Sequence, residues 1–331
     1  NVIGGKEPEF STADDVLIKY SKPEAGKTIE AGDQILEAYR ELKEIRENRL
    51  SLEKQEDRLT DILKVFCSDA EAITYAGSTL ATWKSTKDGV KFDVLCKSQS
   101  GTRDVELLRI PCRKANAKWI FAFTARHHAC ETTANAVMEG VIDEILSGSK
   151  EGEWIRDNAD CVFVPFMDKD GVERGDQGKN RAPHDHNRDY TAEIYTSVKA
   201  FKKLLVKESA GKQIVFFDLH APRIRPRGKI GAEDTAFTYA SPDPRFADRV
   251  TTFRRLWKEE QKGKSLVYDG KYARLDYVDI RKTGLLNSRG WVDGLPNCWI
   301  SICVEFGYSL CGGVFTQDGG RELGHGLLKA L

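Results

Sequence analysis

The sequence has no excess of either charge, because its 51 Lys and Arg residues are balanced by 51 Asp and Glu residues. A zero net charge gives no electrostatic reason to expect nucleic acid or an anionic membrane as a partner. Long apolar runs are also absent, since none approaches the roughly 20 residues of a membrane-spanning helix. The first ten residues have no signal-peptide pattern. The chain is predicted to be a folded protein of one large domain or two smaller ones.

Paired cysteine motifs are missing as well. None of the eight cysteines belongs to a CxxC pair, which excludes zinc knuckles and dithiol redox sites of that kind. Several cysteines, such as Cys161 and Cys303, lie inside apolar runs, where buried free thiols are usual. We therefore predict reduced cysteines and a cytoplasmic protein.

Residues 31–66 have no Pro and, after Gly32, no Gly, and their apolar residues recur at helical spacing. We predict one long amphipathic helix or a helical hairpin here, followed by two short strands within Ala72–Lys84. Residues 1–90 are thus predicted to form a helical accessory module with a β-hairpin. Its helices are candidates for oligomerisation or for docking a partner.

The sequence that follows the predicted helix resembles part of a known protein family. Asp69-Ala-Glu followed by Tyr75-Ala-Gly-Ser-Thr-Leu-Ala-Thr-Trp-Lys84 resembles the C-terminal tail of phage-type YqaJ-like recombination nucleases. The resemblance covers residues 12–90. That family's metal-binding carboxylates lie upstream of this tail and have no counterpart here, so the resemblance implies an accessory module without a nuclease site.

From about Lys91 the chain alternates between short apolar runs and amphipathic stretches. The runs predict strands at Phe92–Cys96, Val105–Ile110, Trp119–Thr124, Cys161–Phe166, Ile214–Leu219 and Trp299–Val304. The stretches predict helices at Thr132–Leu146, Thr191–Lys207 and Pro244–Gln261. This order favours an α/β fold for residues 91–331, with a mixed, mostly parallel sheet sandwiched by helices. Ligands of such sheets bind at the carboxyl ends of the strands.

Four polar residues follow or end three of these strands. His128 and Glu131 are three residues apart in a turn leading into a helix, so both can face one side and share a zinc ion. His220 ends a second strand. Glu305 ends a third, where an acid is costly unless it lies in a cleft or binds something. Three protein ligands with an open position would form a catalytic zinc site.

These residues belong to a longer ordered set of motifs. The set is Ala125-Arg-His-His-Ala-Cys-Glu131, Asp168-Lys-Asp-Gly-Val172, Asp185-His-Asn-Arg188, Asp218-Leu-His220 and Val304-Glu-Phe306. It resembles the HxxE…H zinc carboxypeptidases, the funnelin fold, over about residues 90–331, and the Ala-Arg before the first His is most similar to the cytosolic carboxypeptidase branch. The resemblance implies a zinc metallopeptidase with one Zn²⁺ per chain that hydrolyses the C-terminal residue of a peptide or protein.

The resemblance also implies residue roles. His128, Glu131 and His220 would bind zinc, and Asp185 would orient the first histidine. Glu305 would take a proton from zinc-bound water and pass it to the leaving amine.

The resemblance also implies which residues contact the substrate. Asn187 and Arg188 would bind its terminal carboxylate, for which a guanidinium fork is suited. Arg181 is assigned to polarising the scissile carbonyl, with Lys179 and Arg174 as alternatives within the loop Gly171–His184.

The sequence departs from the family at one expected tyrosine, where alignment places Lys282 and leaves Tyr277 as the nearest tyrosine. The same alignment places Arg289 near the floor of the specificity pocket, where it would favour a substrate with an acidic last residue. The alternative is that Arg289 is a solvated arginine of a surface loop. The basic run Arg223–Lys229 adds positive charge nearby or is a surface loop.

Two other functions compete with a carboxypeptidase. The zinc site could act on a different amide, such as a peptidoglycan peptide or a side-chain glutamate chain. Alternatively, the fold could be a non-catalytic binding module, which the missing tyrosine favours and the intact Glu305 disfavours.

Overall fold

The computed structural model describes residues 30, 32–67, 72–75, 78–82, 89–222, 235–268, 270, 274–275 and 284–331. Lys282, Tyr277 and the basic run Arg223–Lys229 lie outside these residues. The chain divides into two compact units, Asn1–Lys84 and Ser85–Leu331, close to the boundary at residue 90 that the sequence suggests. Within the described residues, no helix has the length and apolarity to span a membrane. Each cysteine whose side chain is described is a free thiol.

Among the described residues of the N-terminal unit, Asp33–Cys67 form a continuous helix, α1, rather than a helical hairpin. No Gly or Pro interrupts these 35 residues, so nothing in the sequence breaks the helical hydrogen bonding. The apolar side chains described along α1, such as Ile35 and Leu52, are exposed. The predicted strands β1 (Ala72–Tyr75) and β2 (Ser78–Thr82) form an antiparallel pair. A docking or oligomerising role for this unit remains a prediction.

The C-terminal unit is built on an eight-stranded sheet. Its strands are β3 (Lys91–Lys97), β4 (Asp104–Ile110), β5 (Trp119–Ala125), β6 (Ala159–Val164), β7 (Gln213–His220), β8 (Phe237–Ala240), β9 (Arg274–Leu275) and β10 (Cys298–Glu305). They lie in the order β3-β4-β6-β5-β7-β10-β8-β9. The four central strands β6, β5, β7 and β10 are parallel to one another, whereas β3, β4 and β8 pair antiparallel. The predicted mixed sheet flanked by helices is confirmed.

Seven α-helices accompany this sheet within the part of the chain that the structure describes. They are α2 (Thr133–Leu146), α3 (Lys150–Asn158), α4 (Lys169–Arg174), α5 (Thr196–Glu208), α6 (Ala247–Glu260), α7 (Ser288–Asp293) and α8 (Gln317–Lys329). Helix α5 starts five residues later than the predicted Thr191, because the carboxylate of Asp189 accepts the backbone N–H groups of Ile194 and Tyr195 and holds a turn there. The central strands are buried almost throughout, as parallel strands covered on both faces should be.

Candidate metal centre

The carboxyl ends of three neighbouring strands bring the candidate residues to one edge of the sheet. Strand β7 lies between β5 and β10, and both neighbours run parallel to it. Glu305 is therefore directly beside His220 in the strand register, while the turn carrying His128 and Glu131 leaves the end of β5. The parallel order of the strands thus creates the site.

The turn after β5 is held by Arg126, whose backbone adopts a left-handed conformation with φ of 59°. Its guanidinium donates from Nε to the carbonyl oxygen of Ala129 at 2.7 Å and from a terminal nitrogen to Asn135 at 2.9 Å. The backbone N–H of Glu131 donates to the carbonyl of His128 at 3.2 Å. A side chain that cross-links the turn compensates for its unusual backbone and fixes the position of His128.

Glu131 lies between two imidazoles. Its Oε1 is 2.9 Å from Nδ1 of His128, and its Oε2 is 2.7 Å from Nδ1 of His220. The three side chains are buried, and one ligand atom from each lies within 4.8 Å of the others. Burial alone would raise the pKa of Glu131, but His220 and His128 hold that pKa well below its usual range, so the carboxylate is ionised.

The far nitrogen of each imidazole faces another carboxylate. Nε2 of His128 is 3.0 Å from Asp185, and Nε2 of His220 is 2.7 Å from Asp218. Burial opposes ionisation of Asp185, but the hydrogen bond from His128 lowers its pKa to about 2. Carboxylates behind metal-binding histidines fix the tautomer and the ring orientation in this way.

These contacts fit a divalent cation between the two Nδ1 atoms and Glu131. A neutral imidazole carries one proton, so it can donate to only one of the two carboxylates that flank it. If each Nε2 keeps its proton and donates it in a hydrogen bond to Asp185 or Asp218, both Nδ1 atoms present lone pairs toward Glu131. Two neutral imidazoles and the carboxylate of Glu131 would then offer a cation the N and O donors that zinc prefers, with Asp185 and Asp218 behind the imidazoles.

A second group within the described residues is also spaced for a metal ion: His127, Asp218 and His220. In His127, Nε2 lies 2.8 Å from the Tyr190 hydroxyl and Nδ1 lies 2.9 Å from Asp218. Both His127 and Asp218 have no exposed surface. Because no substrate could reach it, this group is suited to supporting His220 and not to catalysis.

Glu305 is buried beside these ligands, and its Oε2 has no hydrogen-bond partner among the described residues. Burial raises the pKa of Glu305 to about 7, with His220 acting in the opposite direction and Glu131 in the same one. A carboxyl group with a pKa near neutrality can both accept and release a proton.

The three candidate cations of the loop Gly171–His184 have different partners in the structure. Arg181 donates from Nε to Asp168 at 2.7 Å and from a terminal nitrogen to Asp176 at 2.8 Å, so two aspartates bind its guanidinium. Lys179, an alternative in the sequence prediction, has its Nζ 2.9 Å from Oε1 of Glu131. Arg181 is thus bound by Asp168 and Asp176, and its assignment to the reacting carbonyl, with Lys179 and Arg174 as alternatives, stays a prediction.

The structure describes the three predicted substrate-binding residues, Asn187, Arg188 and Arg289. Asn187 is buried, and its amide nitrogen is 2.9 Å both from Asp218 and from Nε2 of His220. Arg188 is half-buried and donates to the carbonyl oxygen of Asn187 at 2.8 Å. Arg289 is only 1% exposed and forms an ion pair of 2.5 Å with Asp293, one turn along α7.

Asp218 is the important residue that the sequence reasoning left without a role. It accepts hydrogen bonds from Thr124 at 2.7 Å, from Asn187, and from Ser288, and it contacts both His127 and His220. The sequence does indicate a role for Asp218, because this residue interrupts the apolar run Ile214–Leu219, where burying an unpaired acid would cost free energy.

Replacing Asp218 with Asn should lower zinc affinity by roughly 10- to 100-fold, the usual effect of losing a carboxylate behind a metal-binding histidine. The amide keeps the size of the side chain but lacks the charge that stabilises the His220 tautomer. Competition with a chromophoric chelator measures the change, and Asp318→Asn, whose side chain is 95% exposed, is the matched control. Equal zinc affinities in the two variants would contradict this role.

Comparison with known proteins shows which families this chain resembles. Residues 80–212 match the zinc carboxypeptidase family. Cytosolic carboxypeptidase 6 of Caenorhabditis elegans is 25% identical over 271 residues, which cover 77% of this chain and 56% of that protein. Cytosolic carboxypeptidase 3 of Bos taurus is 32% identical over 101 residues, or 29% of this chain and 10% of that protein. The chain thus spans about half the length of the first of these relatives and a tenth of the second.

The fold has solved counterparts as well. A metallo-carboxypeptidase from Burkholderia cenocepacia superposes with a TM-score of 0.58 at 19% identity, covering 73% of this chain and 64% of that one. The predicted resemblance to the zinc carboxypeptidases is confirmed, and with it the expectation of one zinc ion as the cofactor of this domain. The likeness of residues 12–90 to phage nucleases remains a prediction.

Proposed function

We propose that this chain, which carries a zinc carboxypeptidase domain, hydrolyses the last peptide bond of peptides or proteins in the cytoplasm. His128, Glu131 and His220 would hold the zinc ion. The observation that carries the proposal is the position of Glu131 between two Nδ1 atoms, at 2.9 and 2.7 Å, with carboxylates behind both imidazoles.

When bound, zinc supplies a Lewis acid that polarises a carbonyl group and lowers the pKa of a water molecule. Glu305 would then act as the general base and accept a proton from the attacking water. Its position beside His220 and its pKa of about 7 support this role. The same carboxyl group would deliver the proton to the leaving amine nitrogen, so that one residue serves both steps.

Arg188 would bind the terminal carboxylate of the substrate. A guanidinium recognises a carboxylate through two parallel hydrogen bonds. Asn187 links this segment to the metal ligands through its contacts with Asp218 and His220. The substrate's end and the reacting bond would thereby be held at a constant separation, which favours removal of a single residue.

We further propose a preference for acidic last residues, arising from the positive charge of Arg289. The ion pair with Asp293 offsets part of that charge, so the expected preference is moderate. A partly desolvated contact of this kind corresponds to about tenfold in kcat/KM over a neutral residue.

The test is the release of C-terminal residues from a mixed peptide library by the zinc-loaded protein, with and without a chelator. We expect metal-dependent release of single residues, with Glu and Asp ends cut about tenfold faster than Gln and Asn ends. Absence of any release from a zinc-loaded, folded protein would instead support the non-catalytic binding module. Release from internal or side-chain amides would support the alternative substrates.

Arg289→Ala should flatten this ranking while zinc content stays unchanged. The ratio of rates for Glu-ending and Gln-ending peptides is measured within one protein sample. Both rates scale with the same concentration of folded enzyme, so partial unfolding of the variant does not change the ratio. Arg321→Ala, an Arg on α8 paired with Glu139, is the matched control. An unchanged ratio in the Arg289 variant would refute its part in specificity.

A further inference from the structure

A cavity lies at the edge of the sheet opposite to the metal centre. Its volume is about 420 Å³, which is within the range of roughly 300–1,000 Å³ that is usual for small-molecule sites. The amino-terminal halves of three central strands contribute Trp119 of β5, Val215 of β7 and Trp299 of β10 to its lining. The candidate zinc ligands lie at the carboxyl ends of β5 and β7, roughly 20 Å away at about 3.3 Å per residue. The cavity is therefore separate from the candidate metal centre.

Three indoles, those of Trp119, Trp154 and Trp299, line this cavity, which we call the indole pocket. The ring centroids of Trp119 and Trp154 are 6.3 Å apart at an angle of 58°, and those of Trp119 and Trp299 are 5.3 Å apart at 89°. Trp154 is 48% exposed and Trp299 is 38% exposed. The apolar residues Phe121 and Leu256 extend the lining. Burying these exposed rings under an apolar ligand would release hydrophobic free energy, so the pocket favours a ligand with an apolar body.

The indole pocket also has a guanidinium in its lining. Arg249 of α6 has its Cζ 3.7 Å from the centroid of the Trp299 ring, and its Nη1 donates to the carbonyl oxygen of Trp299 at 2.8 Å. These two contacts hold the side chain against the indole. Of the residues that the structure describes, none places a carboxylate in an ion pair with Arg249. Because a guanidinium carries five N–H donors, its charge and most of its donors remain available to a ligand.

The charges of the lining favour an anionic head group on that ligand. Asp248 is the acidic residue among the described lining, and it is exposed in the first turn of α6, where water screens its charge. Arg249 is half-buried and held in place, so its charge acts more strongly on a bound group. It also occupies a face of Trp299 that a ligand cation would otherwise use. A cationic ligand would be repelled there, whereas a carboxylate can pair with the guanidinium.

We propose that the indole pocket binds a small amphipathic carboxylic acid. The apolar body of the ligand, aromatic or branched, lies against the indoles of Trp119 and Trp154, and its carboxylate pairs with Arg249. This ligand class covers the exposed rings and supplies the guanidinium with the anion that the described residues do not provide. The pocket shares no residue with the candidate metal centre, so binding requires neither zinc nor the proposed hydrolysis.

Three probes that share a phenylalkyl body and differ in the head group test the proposal: phenylbutyrate, phenylbutyramide and phenylpropyltrimethylammonium. The titrations use the full chain carrying Arg188→Ala, because Arg188 is the proposed carboxylate-binding residue at the metal centre and would otherwise compete for the acid. Calorimetry gives the Kd and the stoichiometry. We expect one phenylbutyrate per chain, bound about tenfold more tightly than the amide, which is the scale of a hydrogen bond to a charged group. The ammonium probe should bind more weakly than either.

Variants of the lining should change the affinities in opposite directions. In the same background, Arg249→Gln should weaken phenylbutyrate about tenfold and leave the amide unchanged, because only the charged pair is lost. Asp248→Asn should tighten phenylbutyrate by roughly two- to threefold, since it removes a screened repulsion. Trp299→Leu should weaken both the acid and the amide, because it removes apolar contact. Arg255→Gln is the matched control, an exposed arginine of α6 that does not line the pocket.

Four results would overturn the proposal. Equal affinities for the acid and the amide would remove the role of Arg249, and tightest binding of the ammonium probe would make the pocket a cation site. Phenylbutyrate binding that neither Arg249→Gln nor Trp299→Leu changes would place the ligand elsewhere on the protein. Binding of a short peptide with a C-terminal Phe, without binding of phenylbutyrate, would replace the small acid by a peptide end.

Discussion

Glu305→Gln is expected to lower kcat/KM by at least about a hundredfold, the usual scale for loss of a general base. An amide has nearly the size of a carboxylate but cannot accept the proton of the attacking water. Zinc content should stay at the wild-type level, since the candidate ligands are His128, Glu131 and His220. Steady-state kinetics and metal analysis of the same preparation measure both effects.

The fold of this variant should be at least as stable as that of the wild type. Glu305 is buried, and burial raises its pKa to about 7, so the charged form is disfavoured where it lies. Removing a charge that burial disfavours relieves that cost. Glu139→Gln, an exposed residue paired with Arg321, is the control for the substitution itself. Wild-type turnover by Glu305→Gln would assign the base to another group.

Replacing His220 with Ala is expected to have the other large effect, loss of most of the bound zinc and with it the activity. The wild type should bind about one zinc ion per chain, and the variant keeps only two protein donors, too few for a stable site. His128→Ala should behave in the same way. Metal analysis by mass spectrometry after dialysis measures the stoichiometry.

His325→Ala is the matched control, because His325 lies on α8 and pairs with Glu144 instead. The His220 variant should also unfold more easily, since Glu131 and Asp218 lose a partner in a buried network. Breaking such a buried pair costs about 3–5 kcal/mol. Stoichiometric zinc in both histidine variants would remove the basis of the assigned site.

Much of the fold could be predicted from hydrophobic periodicity. The central strands are continuous apolar runs, and helices α2 and α6 repeat at helical spacing, so their existence follows from local sequence. Helix α8 was not predicted, because four of its 13 residues are glycine, which weakens any helical signal. It forms through packing, as Gly324 lies so close to Val137 of α2 that a Cβ would be 2.1 Å from its carbonyl oxygen.

The sequence by itself determined the α/β class and the set of polar residues at the strand ends, because burial patterns and motif order are local properties of a chain. It named His128, Glu131, His220 and Glu305, which the parallel strands then bring to one edge.

Tertiary structure decided which of three loop cations faces the candidate ligands. Residue spacing does not show that Gly178 packs on Ala129, or that Asp168 and Asp176 bind Arg181. It also decided that Asp218 joins two histidines and that Asp293 offsets the charge of Arg289. Such pairings depend on the direction of each side chain in the folded protein. These directions are stabilised by contacts between residues far apart in the chain, which the local sequence does not show.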